Sequence, residues 1–341
     1  MSALLLAGCH TPRSGDPRYF QTGESVVLVG QEPARLAFSP KPPHPIVVRN
    51  TYLAGLPQTV VYQPGRDYLA DNGGYLWRTP QSRIPDFRTN MLFGKEDFRH
   101  DQFPGFGNGP FFVYVDYTHR GKFQPKLAKQ EFSAARLPRT RHKLEAGEPL
   151  RIVAFGDSIT AGGDASTPKL IFWERWADAL RQKYPRATIE AINGATGGDT
   201  TAQGLARLSE KVIDRKPDLV LIGFGMNDHN REGYGVPLPA FTANLRTLVD
   251  RVRAESGAEV VLFSAFPPNP KWHFGSHNMA AYAEATRAVA REKQCAFADV
   301  FQLWQQLSRR KKPEDLLANN INHPNDYGHW IYFQALQTLG L

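Results

Sequence analysis

The chain has 341 residues with 41 Lys and Arg against 33 Asp and Glu, a formal net charge of +8, and 41% hydrophobic residues. This is the composition of a folded chain long enough for about two domains, which excludes intrinsic disorder. No apolar stretch approaches the ~20 residues that cross a bilayer, which excludes a multi-span membrane protein; Cys9 and Cys295 are too few for a disulfide scaffold or a Cys-ligated zinc.

In chain order, the apolar start Met1 to Gly8 ends at Leu6-Ala7-Gly8-Cys9, which resembles a bacterial lipobox. Residues 1–19 are therefore expected to be a lipoprotein leader and tether, with Cys9 carrying the lipid, so the membrane is a partner only through that anchor. Residues 20–118 read as a β-rich accessory domain. Short β-branched or aromatic runs at Ser25–Val29, Ile46–Arg49, Thr59–Tyr62 and Phe111–Tyr117 are separated by turn clusters such as Pro64-Gly65 and Asp71 to Gly74. The pattern suggests a small β-sandwich. Within it Tyr68, Tyr75, Trp77 and Phe87 read as core aromatics, with a sugar-stacking platform as the functional alternative.

Residues 119–149 read as a basic linker: eight Lys or Arg between Arg120 and Lys143 face only Glu131. With no nucleic-acid motif in the chain, nucleic acid is not an expected partner. From residue 150 to 341 strands alternate with helices. Strands are predicted at Ile152–Phe155, Thr188–Ile192, Asp218–Gly223, Val260–Ser264 and Ala296–Asp299, and helices at Phe172–Tyr184, Leu205–Arg215, Leu238–Glu255, Ala280–Lys293 and Tyr327–Leu339. This alternation is that of an α/β domain with a parallel sheet covered on both faces.

Four short motifs fall in loops after predicted strands, where open α/β sheets place their sites. Gly156-Asp157-Ser158-Ile159-Thr160 puts a serine on a tight strand-to-helix turn. It differs from the G-x-S-x-G elbow because Thr160 stands where the second glycine would be. Asn193 to Gly198 is a glycine-rich loop that lets backbone approach a ligand. Asn227 offers a side-chain amide donor, and His323 in Asn320-Ile-Asn-His-Pro-Asn325 offers a base of near-neutral pKa.

The order Ser, Gly, Asn, His, each in its own motif, resembles the SGNH (GDSL-type) hydrolases over residues 150–341. That resemblance implies a three-layer, flavodoxin-like domain and makes Ser158 the nucleophile and His323 the general base. It also makes the Ser158 N–H, the Gly198 N–H and the Asn227 amide the oxyanion donors. The family pattern is Asp-x-x-His, and position 320 is Asn. Asn320 is expected to orient the imidazole, with Asp326 and Asp299 as alternative carboxylates. Asp199 and Asp228 are expected to fix loops. The Phe266–His277 loop, through Trp272 and His273, is expected to contact substrate. His273, His277, His323 and His329 lack ligand spacing, so neither metal nor other cofactor is expected.

The resulting expectation is an exported serine esterase removing a short acyl group, acetyl first, from a carbohydrate or other small polar ester. A lipase, thioesterase or acyltransferase on the same site is the alternative within enzymes. An anchored carbohydrate-binding protein with an inactive hydrolase fold is the alternative of another class. The sequence leaves the oligomeric state open.

Overall fold

The computed structural model describes residues 19–121, 123, 125–231 and 233–341; the lipobox-like segment and Cys9 lie outside the described residues. The N-terminal third holds six strands: β1 (Phe20–Val27), β2 (Ala34–Arg35), β3 (Val47–Arg49), β4 (Tyr68–Ala70), β5 (Tyr75–Arg78) and β6 (Phe112–Thr118). They form two antiparallel three-stranded sheets, ordered β1-β6-β3 and β2-β5-β4. Val26, Val113, Val115 and Tyr117 from the first sheet share one core with Tyr68 and Leu76 from the second. Tyr68 and Phe87 are buried in two different clusters, so the four aromatics of the region make no common exposed platform.

The near-continuous apolar run of β6 has a tertiary cause. Successive strand residues point to opposite faces: Val113, Val115 and Tyr117 fill the N-terminal core, whereas Phe112 and Tyr114 enter the core of the C-terminal part. Both faces of the strand are therefore covered. The segment predicted as a basic linker is folded in as well. It carries helix α1 (Pro138–Ala146), and its Phe132, Leu137 and Leu144 join the C-terminal core, while Arg139 and Lys143 lie within ion-pair distance of the buried Glu259 and of Asp218.

The C-terminal part contains strands β7 (Leu150–Gly156), β8 (Ile189–Asn193), β9 (Leu219–Gly223), β10 (Glu259–Phe263) and β11 (Ala296–Ala298). The sheet is wholly parallel, in the order β8-β7-β9-β10-β11. This is the doubly wound arrangement in which the chain reverses direction of progress beside its first strand, between β7 and β9. The helices are α2 (Ser158–Ala161), α3 (Phe172–Lys183), α4 (Thr201–Lys211), α5 (Leu238–Ser256), α6 (Met279–Glu292), α7 (Val300–Ser308), α8 (Pro313–Leu316) and α9 (Asp326–Gln337). α9 packs on α3 and α7, whereas α5 packs on α4 and α6, giving two separate helical layers. Both helical layers and the sheet contribute to one buried apolar cluster.

The two parts meet along β1 and α8. Val27 N–H donates to Asp315 Oδ1 (2.9 Å), and Lys311 Nζ lies 2.8 Å from Glu24 Oε1 with both side chains fully buried.

Candidate active site

Gly156 ends β7 directly opposite Gly223 at the end of β9. A Cβ on Gly156 would lie 2.2 Å from the Gly223 carbonyl oxygen, so only glycine lets the chain turn off the sheet this tightly. Asp157 then caps α2, its carboxylate accepting from the Ile159 N–H (3.0 Å). Burial pushes the Asp157 carboxyl up to about 7, and the nearby Asp228 pushes in the same direction. Ser158 is the first residue of α2 and remains partly exposed.

The Ser158 hydroxyl oxygen lies 2.8 Å from His323 Nε2, and His323 Nδ1 lies 2.9 Å from Asp164 Oδ2. A carboxylate can only accept, so the proton between the last two sits on Nδ1 and leaves Nε2 to accept from the serine hydroxyl. Hydroxyl, imidazole and carboxylate thus form one hydrogen-bonded chain.

Its carboxylate is not where the sequence pattern points. Asn320 is buried and in the left-handed region (φ +58°), and its Oδ1 accepts from Asn108 Nδ2 (3.1 Å) and Asn269 Nδ2 (3.3 Å). It fastens the loop before His323 to two other segments, while Nδ1 of the histidine faces Asp164. Of the alternative carboxylates, Asp299 caps α7 by accepting from Gln302 N–H and is ion-paired with Arg287. Asp326 accepts from the Ser166 N–H (2.8 Å). Nothing around Asp164 in the sequence separates it from a solvent-facing loop acid; only the return of the chain at His323 brings the two together.

Of the three expected donors, one is the N–H of Ser158 itself and a second, Gly198, follows a residue close to it. A Cβ on Gly197 would lie 3.9 Å from Ser158 Cβ, which places the Gly197-Gly198 turn (φ +81° at Gly198) beside the hydroxyl. Asn227 Nδ2 donates one hydrogen to Asp199 O (2.9 Å) and retains a second donor. Asp228 accepts from the N–H groups of Thr201 (2.9 Å) and Gly225 (3.2 Å), joining the loops after β8 and β9. Burial raises its carboxyl to about 6. Asp199 lies 3.1 Å from Arg207 Nε, and burial raises its carboxyl too.

The loop after β10 differs from its expected role. Trp272 is buried, donates from Nε1 to His100 Nδ1 (3.1 Å) and packs with Leu92, Phe98, Phe274 and Ile321. His273 Nδ1 meets Asp97 at 3.1 Å, an interaction that holds the Asp97 carboxyl below its ordinary value. Both residues therefore clasp residues 92–103 of the N-terminal part rather than stand open at the serine. Among the described residues no group of three or more His, Cys, Asp or Glu could hold a metal ion.

Residues 154–331, just over half of the chain, match the family described as GDSL-like lipase/acylhydrolase. The chain belongs to that family. An arylesterase of Vibrio mimicus is 38% identical over 124 residues, covering 35% of this chain and 56% of that protein. An acetylxylan esterase of Geobacillus stearothermophilus is 26% identical over 170 residues, 47% of this chain and 77% of that one. The crystal structure of Axe2, an acetylxylan esterase from the same organism, superposes with a TM-score of 0.50 at 25% identity, covering 56% of this chain and 94% of that chain. An uncharacterized lipoprotein, YqeF, of Bacillus subtilis (strain 168) is 29% identical over 119 residues, 34% of this chain and 48% of that protein. The GDSL-like membership accounts for the C-terminal part; the six N-terminal strands lie outside the matched range.

Proposed function

We propose that this GDSL-like protein is a serine esterase that removes a short acyl group, acetyl above all, from a carbohydrate outside the cytoplasm. The observation that carries the reading is the hydrogen-bonded chain Ser158–His323–Asp164. As Ser158 Oγ attacks the ester carbonyl carbon, its proton passes to His323 Nε2, and Asp164 stabilises the imidazolium formed. The Ser158 and Gly198 N–H groups and the Asn227 amide receive the developing oxyanion. Collapse of the tetrahedral adduct breaks the bond to the alcohol, which leaves with the proton from Nε2 and an acyl-Ser158 ester behind. Water repeats the sequence: its proton goes to Nε2, its oxygen to the acyl carbon, and Ser158 recovers its hydrogen as the carboxylic acid departs.

The acetylxylan esterase relative supports a carbohydrate acetyl ester as substrate. Leu6-Ala7-Gly8-Cys9 and the lipoprotein relative support export with a lipid at Cys9. Turnover of p-nitrophenyl acetate, butyrate and octanoate, compared with acetate release from acetylated xylan, tests the reading. Rates falling with chain length and acetate released from the polysaccharide are expected. A preference for octanoate points to a lipase, and no turnover of any ester to an inactive binding module. Lipid at Cys9 is tested by detergent phase partition of the protein expressed with its leader, which Cys9→Ala should abolish.

A further inference from the structure

The first turn of α9 offers two side chains to the segment that carries Asp164. Asp326 and His329 are three residues apart and lie on one face of the helix. Asp326 Oδ1 accepts from the Ser166 N–H at 2.8 Å, and His329 Nε2 meets the Gly163 carbonyl at 3.2 Å. A carbonyl cannot donate, so Nε2 carries the proton and Nδ1 of this fully buried ring is left as an unpartnered acceptor. Burial holds the imidazole down at about 3, which keeps it neutral, and it stacks on Phe172 with ring planes 13° apart.

Gly163 is fixed from both sides. Its N–H donates to the Ser158 carbonyl (2.8 Å), and a Cβ there would stand 3.0 Å from His323 Nδ1 and 2.9 Å from Ser158 O. Asp164 therefore lies between two anchored backbone groups, the Gly163 carbonyl and the Ser166 N–H. Its own backbone is left-handed (φ +61°) and its side chain is 41% exposed. An exposed carboxylate is not held by packing, and water competes for its hydrogen bonds. What can hold it against His323 is the backbone from which it projects.

We propose that His329 and Asp326 are positioning residues for the esterase, gripping the backbone on either side of Asp164 so that its carboxylate stays on His323 Nδ1. This rests on the reading of Ser158, His323 and Asp164 as the catalytic relay. Arg175 extends the grip, its Nη2 donating to the Asp326 carbonyl (3.2 Å) and its Nε to Leu170 O (2.9 Å) at the far end of the same connection. A displacement of the order of 1 Å in such a relay lowers turnover by up to about 10²-fold.

The test is a mutant cycle on the full chain with p-nitrophenyl acetate, each variant checked for an intact melting transition. His329→Leu removes the donor and is expected to lower kcat roughly 10- to 10²-fold with KM within about twofold. His329→Gln keeps an N–H of similar reach and should recover most of that loss. In the Asp164→Ala background His329→Leu should cost nothing further, because both changes break one linkage. Should His329→Leu fail to fold, Asp326→Ala against Asp326→Asn, which keeps an acceptor for Ser166 N–H, carries the same cycle. A full multiplicative loss on top of Asp164→Ala, or wild-type kcat in His329→Leu, overturns the positioning role and leaves the relay standing. Wild-type kcat in Asp164→Ala itself overturns the relay and the positioning role with it.

Discussion

His323 has two ring nitrogens, and the geometry gives each one partner: Nε2 meets the Ser158 hydroxyl and Nδ1 meets Asp164. Ser158→Ala and His323→Ala should therefore each lower kcat by several orders of magnitude, and Asp164→Ala by roughly 10² to 10⁴. Asn320→Ala is expected to behave differently. It removes an acceptor that two buried amides share with backbone carbonyls and places Ala in the left-handed region, so about 1–2 kcal/mol of stability should be lost while kcat stays within a few-fold of wild type. Urea unfolding alongside steady-state kinetics separates the two, and a kcat for Asn320→Ala as low as that of Asp164→Ala would return Asn320 to the relay. Asn227→Ala should lower kcat by about 10² to 10³ with KM little changed, since an oxyanion donor acts on the transition state. An effect confined to KM would make Asn227 a substrate-binding group instead.

At the scale of the element, the site depends on how closely β7, β9 and β10 approach at their C-terminal ends. Gly156 and Gly223 are in register across two strands, and the space where the second would carry a Cβ is taken by the Phe263 ring, 1.8 Å from that position. A methyl at Gly223 must push this ring aside, so Gly223→Ala is expected to cost about 1–3 kcal/mol. Gly156→Ala should cost more, because its Cβ meets a strand carbonyl, which cannot rotate away as a side chain can. Chemical denaturation gives both values, and equal stability of Gly223→Ala with the wild type would show that the ring has room to move.

Across the whole molecule, the N-terminal strands and the hydrolase domain are welded by buried polar groups as well as by apolar contact. Lys311 and Glu24 are both fully buried at their junction. Lys311→Ala leaves the Glu24 carboxylate without its cation and should lose about 3–5 kcal/mol, whereas Glu24→Gln combined with Lys311→Met should recover much of it. A mild effect of Lys311→Ala on the melting temperature would argue against this junction. The buried acids and histidines set the pH dependence in opposite senses. His329 and His229 are held down by burial to about 3 and about 4, so the unfolded chain binds more protons below pH ~6.5 and acid destabilises the fold. Asp157 and Asp228, raised by burial to about 7 and about 6, bind protons first in the folded state, so their protonation stabilises it as pH falls and that gain is lost as pH rises through those values. Asp157→Asn keeps a capping oxygen but cannot titrate. From pH 7 to pH 5 the stability difference between wild type and this variant should therefore move in the wild type's favour by about 2 kcal/mol. A difference that stays constant would show that the Asp157 carboxyl titrates in its ordinary range.

The parallel sheet, the order of its strands along the chain and the four motifs were legible in the sequence because each rests on local pattern. Apolar runs of strand length, helical spacing between them and short loops with Gly, Ser, Asn and His at their tips declare themselves within a dozen residues. The partner of His323 was not, because Asn320 occupies the position the family pattern reserves for an acid, and the acid that meets the imidazole instead lies 2.9 Å away in space but on another loop. The role of Trp272 was hidden for a related reason: a Pro-rich aromatic loop reads as open until the residues from 92 to 103 are seen to cover it. Likewise the apolar run of β6 signalled a buried strand, yet that one face belongs to its own sheet pair and the other to the hydrolase core follows only from the docking of the two parts. Local sequence determines which residues can turn, cap or line a strand. Which carboxylate meets which imidazole is decided by burial and by contacts between segments far apart in the chain, which no local pattern records.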